Sequence, residues 1–343
     1  MDRRSFLRTS ALGGSAAAAS TLAAPAYAQG KRTLTMVTTW GRGLAGVHDA
    51  AQRCADTVTA MSDGALTVEV KAAGELVGAF EVFDAVSSGQ ADMYHGVDYY
   101  FLGQHPAFSF FSAIPFGMTA QELNNWYYHQ GGQQLQDQLA GNTGPQSGGW
   151  FRKEINGPED FQGLKFRMPG QGGEVLAKLG ASVQNLPGGE VYQALASGAI
   201  DGTEWIGPWA DEKAGFQEIT KFYYTAGFHE PGPGLSLATN REVYDSLSPA
   251  LQSVIENAAM STNAWSLSQF MANNASALQR LQAGGVKVLE FPGSAAMDVV
   301  AANLNDDLYK EIHDSYMASM RNSSQWISRS EGAYSTQRNR ILG

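Results

Sequence analysis

Cysteine is nearly absent from this sequence of 343 residues. Its one cysteine, Cys54, lies in "AAQRCADTV", a stretch whose apolar residues recur with helical spacing. A single cysteine excludes any disulfide bond or thiolate cluster within one chain. We therefore expect Cys54 to be a buried structural residue and not a nucleophile.

Recognisable enzyme motifs are also missing. "GLSLA" is not a nucleophile elbow, because Ala238 stands where the second glycine is required, and no Walker motif occurs. No nucleophile, base and orienting group can be recognised together, so the sequence predicts a protein that is not an enzyme. The histidines have no metal-ligand spacing, and we expect each to be a surface or core residue: His48, His95, His105, His129, His229 and His313.

Positive charge is scarce. The chain has 23 Lys and Arg residues against 33 Asp and Glu residues, and its formal net charge is −10. An acidic surface argues against nucleic acid or an anionic membrane as the main partner. It leaves open the binding of a small anion in a pocket that is locally basic.

The N-terminus has the features of an export signal. Paired arginines in "MDRRSFLRTS" precede a weakly apolar Ala-rich stretch, and an Ala-Tyr-Ala cleavage site ends at Ala28. The stretch is too short and too weakly hydrophobic for a transmembrane helix, and no cysteine at the cleavage site offers a lipid anchor. We expect residues 1–28 to be a twin-arginine-type signal peptide and the mature chain to be periplasmic. The alternative is a disordered or helical N-terminus.

The mature chain of about 315 residues is long enough for two domains. Strand patterns such as "RTLTMVTTW" and "GALTVEVKAAG" alternate with helical patterns such as "GVHDAAQRCADTVTAMS". The same alternation resumes after Gly148. It predicts an α/β fold with a largely parallel sheet, repeated in two halves.

One long helical segment interrupts this alternation. Ser248 is a suitable N-cap, Pro249 suits the first turn, and Gly284 stops the pattern. A helix of about 35 residues would span roughly 50 Å, which exceeds one small domain. We expect it to kink or to lie across both domains. A short strand, "GVKVLEF", should follow, and the chain to Ser330 should be mostly helical.

Two segments supply groups suited to ligand binding. Arg167 ends a predicted strand, and an arginine there can grip a carboxylate with two hydrogen bonds. The alternative is a surface arginine paired with a nearby acid. Glu204 in "TEWIGP" and Glu230 in "FHEPGP" lie in stiff loops, and carboxylates are natural ligands for a hard cation. Spacing alone leaves open whether these segments meet.

Several segments together resemble the DctP-type substrate-binding proteins of TRAP transporters, over essentially the whole mature chain. They are "FDAVSSGQADMYHGVDYYFLGQHPAFSFFSAIPFG", "GGWFRKEI", "LKFRMPG", "VYQALASGAIDGTEWIGP" and "GFHEPGP". The resemblance is closest to the branch that binds 2-oxo monocarboxylates such as pyruvate, or lactate, together with a cation. It implies two α/β domains joined by hinge strands, in the periplasmic-binding-protein manner, with the long helix spanning both.

The same resemblance implies where the domains divide. Domain I would comprise residues 31–146 and 232–283. Domain II would comprise residues 147–231 and 284–343, including a C-terminal helical tail. That tail either forms a helix that docks on a second copy, giving a homodimer, or is frayed.

The resemblance also implies a role for individual residues. Arg167 matches the arginine that holds the ligand carboxylate. Gln146 matches an amide ligand of the metal, Glu204 matches a carboxylate ligand, Trp205 contributes its carbonyl, and Glu230 supplies a second acid. The cation would be Na⁺ or Ca²⁺.

The first domain would contribute aromatic residues to the cleft. Trp40 and either Tyr99 or Tyr100 match positions at strand ends that face the ligand. The loop after Trp40, "GRGLAGVHD", is shorter and richer in glycine than the branch leads us to expect. Since that loop helps to wall the pocket, it bears directly on substrate size.

These residues imply a periplasmic protein that captures a small 2-oxo acid or lactate and delivers it to a membrane permease. One alternative is a binding protein for a larger carboxylate (a dicarboxylate, sugar acid or aromatic acid) that needs no metal. A sensor with the same site and a different partner is another. A periplasmic enzyme that uses Glu204 or Glu230 as a base is the remaining one.

Overall fold

The computed structural model describes residues 30–135, 138–225 and 227–290, together with Asp314 and Ala318. The predicted signal peptide and nearly all of the C-terminal tail lie outside these residues, so the predictions about export, the tail helices and the homodimer are not addressed by the fold. None of the helices in the described ranges is both long enough and apolar enough to cross a membrane.

The strands are numbered along the chain. They are β1 (Arg32–Thr38), β2 (Leu66–Lys71), β3 (Met93–Gly96), β4 (Gln138–Asn142), β5 (Gly149–Phe151), β6 (Lys165–Arg167), β7 (Ser182–Gln184), β8 (Gly202–Thr203), β9 (Phe222–Thr225), β10 (Gly234–Thr239) and β11 (Lys287–Glu290).

The α-helices are numbered in the same way. They are α1 (Val47–Met61), α2 (Val82–Ser87), α3 (Phe108–Ser112), α4 (Ala120–His129), α5 (Gly132–Leu135), α6 (Gly170–Lys178), α7 (Gly188–Ser197), α8 (Pro208–Ala214), α9 (Arg241–Asp245) and α10 (Pro249–Ala283). Short 3₁₀ segments occur at Asp98–Phe101, Pro158–Phe161 and Phe216–Glu218.

The strands form two mixed sheets, in the orders β2-β1-β3-β10-β4 and β11-β9-β5-β8-β6-β7. This confirms the α/β class and its repetition in two halves. The expectation of a largely parallel sheet is wrong in part, because β10 runs antiparallel to β3 and β4, and β5 runs antiparallel to β8 and β9. Strand β5 is the first strand after the chain crosses to the second sheet, and β10 is the first strand after it crosses back. Each runs antiparallel to both of its neighbours in its sheet.

Two of the chain segments that cross between the sheets are hydrogen-bonded to each other. The Gln146 amide N–H donates to the Glu230 carbonyl over 3.0 Å, and the Gly227 N–H donates to the Gln146 carbonyl over 3.0 Å. These bonds fix both crossing segments side by side, which places Gln146 and Glu230 at one point. The domain boundaries given above stay a prediction.

Helix α10 lies against elements of both halves. The Ser248 side chain caps it by accepting from the Leu251 N–H, as predicted. Toward the first sheet, the Ser266 hydroxyl donates to the carbonyl of Asn142 in β4 over 3.0 Å. Toward the second, the Phe270 ring meets Trp209 of α8 at 5.4 Å between centroids. The predicted long helix across both halves is therefore confirmed.

The core beneath α10 includes the single cysteine. Cys54 in α1 is fully buried, and its burial raises the pKa of the thiol to about 12. A thiol with so high a pKa is not a nucleophile at neutral pH. The interpretation of Cys54 as a buried structural residue is confirmed.

Candidate functional site

A small cavity of about 10 Å³ lies where the crossing segments meet. Residues from the ends of strands in both sheets surround it. The predicted site residues that line it are Trp40, Tyr99, Tyr100, Gln146, Arg167, Trp205 and Glu230. The sequence left open whether these segments meet, and the structure brings them together at one cavity.

Arg167 is the buried cation of this site. It ends β6, and its side chain is only 1% exposed. Its Nε donates to the Leu186 carbonyl over 2.9 Å, and Nη2 donates to the Tyr100 hydroxyl over 3.0 Å. The guanidinium carbon lies 5.5 Å from the centre of the Trp205 ring. The alternative of a surface arginine is therefore wrong, although Arg167 does pair with an acid, Glu204.

Glu204 directly follows the short strand β8 and is fully buried. Its backbone N–H donates to the Arg167 carbonyl over 3.2 Å, which holds the two residues on adjacent strands. Glu204 Oε1 forms an ion pair with Arg167 Nη1. Within the described part of the chain, Oε2 has no hydrogen-bond partner. One carboxylate oxygen is thus neutralised by Arg167 and the other remains available.

Glu230 brings a second buried carboxylate, 3% exposed, to the same point. Burial raises the pKa of Glu230 to about 7, and the negative charge of the nearby Glu204 adds to this rise. His229 and the Tyr99 hydroxyl both act to lower the pKa. Among the described residues, no hydrogen-bond donor reaches Glu230 Oε2. Two carboxylates in one dry cavity are costly unless a positive charge lies between them.

Gln146 contributes a neutral oxygen. Its side-chain Nε2 donates to the Thr143 hydroxyl over 3.3 Å, which orients the amide. The amide Oε1 is buried and lacks a hydrogen-bond partner in the described ranges. A buried polar atom without a partner normally indicates a missing ligand, ion or water.

His229 belongs to this cluster, although its sequence context predicted a surface or core histidine. One ligand atom from each of Glu204, His229 and Glu230 lies within 4.8 Å of the others. His229 is 2% exposed, and neither ring nitrogen has a hydrogen-bond partner among the residues described. Consecutive residues of an extended chain point to opposite sides. The local bend at residues 228–229, which the sequence does not specify, brings both His229 and Glu230 inward.

Tyr99 and Tyr100 both reach the cavity, so the choice between them does not arise. Tyr100 accepts a hydrogen bond from Arg167, and Tyr99 lines the cavity beside Glu230. They lie in a 3₁₀ turn, and their ring centroids are 5.4 Å apart. Gly170, with φ of +70°, packs against the Tyr99 ring.

The two tryptophans form walls of the cavity. Trp40 is 3% exposed, and its indole N–H donates to His95 Nδ1 over 2.9 Å. The ring of Trp205 packs on Gly188, where any side chain would overlap it. The role predicted for the Trp205 carbonyl stays a prediction.

The Gly-rich loop after Trp40 folds back against the long helix. Gly46 has φ of +80° and lies directly against the ring of Phe270 in α10, so no larger residue fits there. The next residue, Val47, lines the cavity. The loop therefore holds the start of α1 beside the ligand space.

The donor set fits a cation. Gln146 Oε1, Glu204 Oε2 and Glu230 Oε2 are buried oxygens that lack partners within the described residues. Hard cations take carboxylate and amide oxygens of this kind. A bound cation would satisfy these oxygens and offset the charge of the two carboxylates.

The fold has two α/β halves, and the candidate site lies where the segments that join them meet. The chain belongs to the DctP family of bacterial extracellular solute-binding proteins, family 7, whose model matches residues 39–313. It is a solute-binding protein of the TRAP transport class, and the family functions in transport and not in catalysis.

Similar proteins carry informative descriptions. A monocarboxylate 2-oxoacid-binding periplasmic protein of Nostoc sp. is 37% identical over 317 residues, covering 87% of each chain. A TRAP solute-binding protein of Pseudoalteromonas atlantica, solved with sodium and pyruvate, is 38% identical with a TM-score of 0.83 over 89% of this chain and 98% of that one. One of Colwellia psychrerythraea, solved with calcium and pyruvate, is 37% identical with a TM-score of 0.83 over 90% and 99%.

Proposed function

We propose that this protein captures a small 2-oxo monocarboxylate such as pyruvate, or the related lactate, together with a metal cation, and delivers it to a TRAP membrane permease. One observation carries the proposal. The buried guanidinium of Arg167 lies beside carboxylate and amide oxygens that have no partner within the described residues. An anion-binding group and a cation-binding group therefore share one cavity.

The chemistry of the ligand matches this pair of groups. A 2-oxo acid presents a carboxylate and an adjacent carbonyl oxygen. Arg167 would bind the carboxylate, and a cation held by Gln146, Glu204, Glu230 and the Trp205 carbonyl would take the carbonyl oxygen and one carboxylate oxygen. Each positive group offsets part of the cost of removing the anion from water.

Charge balance favours a divalent cation. The occupied site would hold the carboxylates of Glu204, Glu230 and the ligand, against Arg167 and the metal. With Ca²⁺ the positive and negative charges are equal, whereas with Na⁺ one negative charge is left over. Since uncompensated buried charge is costly, we propose that Ca²⁺ binds more tightly than Na⁺.

The cavity supports a small ligand over a larger carboxylate. Its volume of about 10 Å³ is far below the roughly 300–1,000 Å³ of drug-sized ligand pockets, so a large ligand would require far more opening than a small one. Val47, Val97 and Leu235 line it and would pack against a short alkyl chain. A dicarboxylate or sugar acid would need further polar partners in this apolar part, and would leave the oxygens of Gln146 and Glu230 unsatisfied.

We further propose that the chain is exported to the periplasm by the twin-arginine route through residues 1–28. Partnership with the permease follows from membership of the TRAP class. The C-terminal tail, residues 323–343, remains the proposed surface for a homodimer, and a protein truncated after residue 322 that stays dimeric in solution would contradict this.

A thermal shift series tests the ligand proposal. Purified protein is heated with pyruvate, 2-oxobutyrate, lactate, succinate or a sugar acid, each with and without a chelator and in sodium-free buffer. Ligand that binds the folded state raises the melting temperature by mass action. We expect pyruvate with Ca²⁺ to give the largest rise and the chelator to abolish it. A rise with succinate or the sugar acid alone, independent of metal, would favour the larger-carboxylate alternative.

A further inference from the structure

The side chain of His229 is an unexplained feature of the site. It is 2% exposed, and neither ring nitrogen has a hydrogen-bond partner among the described residues. A buried imidazole without a hydrogen bond loses its hydration and has no hydrogen bond in its place. The sequence resemblance assigns no role to it.

The distance between His229 and Glu204 resembles that between two ligands of one metal ion. His229 Nε2 lies 3.5 Å from Glu204 Oε2. This is too long for a good hydrogen bond, whose length is about 2.7–3.2 Å. Two donor atoms that each lie about 2.1 Å from a shared tetrahedral metal are separated by roughly 3.4 Å.

The position of the ring is fixed by two glycines. A Cβ atom at Gly172 would lie 2.6 Å from His229 Cβ, and one at Gly227 would lie 2.8 Å from His229 Cε1. Only glycine therefore allows the backbone to approach the imidazole from both directions. A ring held in this way is already oriented for a ligand and pays little entropy on binding.

We propose that the His229 imidazole is a direct ligand of the cation, alongside Glu204 and Glu230. Imidazole nitrogen suits borderline divalent ions such as Co²⁺ and Zn²⁺ and adds little for Na⁺ or Ca²⁺, which take oxygen. The site consequently accepts borderline divalent ions more tightly than its oxygen donors alone would allow. The inference rests on the proposed function for the presence of a cation, but it concerns the identity of one ligand.

The test uses the purified full chain after removal of bound metal. Co²⁺ and Ca²⁺ are titrated separately by calorimetry, in saturating pyruvate, and the visible absorption of bound Co²⁺ is recorded. The variant is His229→Asn, which replaces the nitrogen donor with a carbonyl oxygen. The matched control is His129→Asn, which removes an exposed histidine far along the chain in α4.

We expect His229→Asn to weaken Co²⁺ binding by about tenfold or more and to change the Co²⁺ spectrum. Ca²⁺ affinity should change by less than about threefold, because the asparagine oxygen suits Ca²⁺. His129→Asn should match the unsubstituted protein with both ions. Unchanged Co²⁺ affinity and spectrum in His229→Asn would overturn the proposal, as would an equal loss for both ions.

A second measurement needs no variant. The unsubstituted protein loaded with one equivalent of Zn²⁺ should show imidazole scattering in its zinc X-ray absorption spectrum, and a shell of oxygen alone would overturn the proposal. Failure of the proposed function has a different signature, which is the absence of pyruvate binding with every cation.

Discussion

Arg167 Nη1 and Glu204 Oε1 form an ion pair whose side chains are 1% and 0% exposed. Arg167 is the last residue of β6, and Glu204 directly follows β8. These two strands are adjacent and parallel, and the Glu204 N–H donates a hydrogen bond to the Arg167 carbonyl. The anion-binding and cation-binding halves of the proposed site are therefore built on the same pair of strands. A change in either residue should affect both ligand and metal.

Replacing Arg167 should weaken both binding and folding. Arg167→Lys keeps the charge but loses the planar fork, so we expect pyruvate affinity to fall by about tenfold or more. Arg167→Ala leaves Glu204 buried without its partner, and we expect no detectable binding and a loss of about 3–5 kcal/mol in the free energy of unfolding. Calorimetry and urea denaturation would measure the two effects.

A control comes from an exposed ion pair in the same chain. Arg280 pairs with Glu212 over 2.6 Å, and the Arg280 side chain is 53% exposed. Arg280→Lys should leave pyruvate affinity unchanged and alter stability by less than about 1 kcal/mol. If Arg167→Lys resembled Arg280→Lys in pyruvate affinity, the carboxylate assignment would be wrong.

A second prediction concerns the loop that contacts the segment leading to Glu230. Phe116 has φ of +56°, its N–H donates to the Phe228 carbonyl over 2.8 Å, and the two rings lie 5.7 Å apart. A bulky residue in the left-handed region is strained. Phe116→Ala removes the ring and keeps the strain, whereas Phe116→Gly removes both.

We therefore expect Phe116→Gly to be more stable than Phe116→Ala by about 1 kcal/mol, in urea denaturation. Both variants lose the contact between the rings. An alanine variant as stable as the glycine variant would show that the backbone at residue 116 is relaxed in solution.

A third prediction concerns pH. Burial lowers the pKa of His95 to about 4, while a hydrogen bond to the Ala140 carbonyl opposes the shift. Trp40 donates to Nδ1, so Nδ1 accepts and the ring is neutral with its proton on Nε2. The folded pKa lies below the ordinary value of about 6.5, so the unfolded chain binds the extra proton first as the pH falls.

The free energy of unfolding should therefore fall between pH 6.5 and 4, by up to about 1.4 kcal/mol per pH unit from this one group. His95→Gln, whose carbonyl can accept from Trp40, should show a shallower decline over the same window. Nuclear magnetic resonance of the imidazole should show a neutral ring at pH 5.5. A charged His95 at that pH would contradict the tautomer inferred from Trp40.

Much of the fold could be predicted because its signals are local. Ser248, Pro249 and Gly284 bound the long helix with capping chemistry that needs no tertiary information. The position of Arg167 at the end of a strand likewise follows from the hydrophobic pattern around it. The antiparallel β5 and β10 could not be predicted, because the direction of a strand depends on where the chain re-enters the sheet.

Most residues of the candidate cavity were among the predicted site residues, but the contacts between them were not predictable. Gln146, Glu204 and Glu230 could be assigned only through the resemblance, since nothing local to each residue shows that their segments meet. His229 was not among the predicted site residues, because its place in the cluster depends on a bend and on two glycines, Gly172 and Gly227, that lie 57 and 2 residues away in sequence. The ion pair of Arg167 with Glu204 also depends on strand order.

Metal removal tests the central claim most directly. Pyruvate is titrated into metal-stripped protein, then into the same protein with Ca²⁺ restored, and the series is repeated with Glu204→Gln. We predict that stripping weakens pyruvate binding by at least about tenfold, that Ca²⁺ restores it, and that Glu204→Gln cannot be restored. Stripped protein that binds pyruvate as tightly as the Ca²⁺-loaded protein would contradict the account.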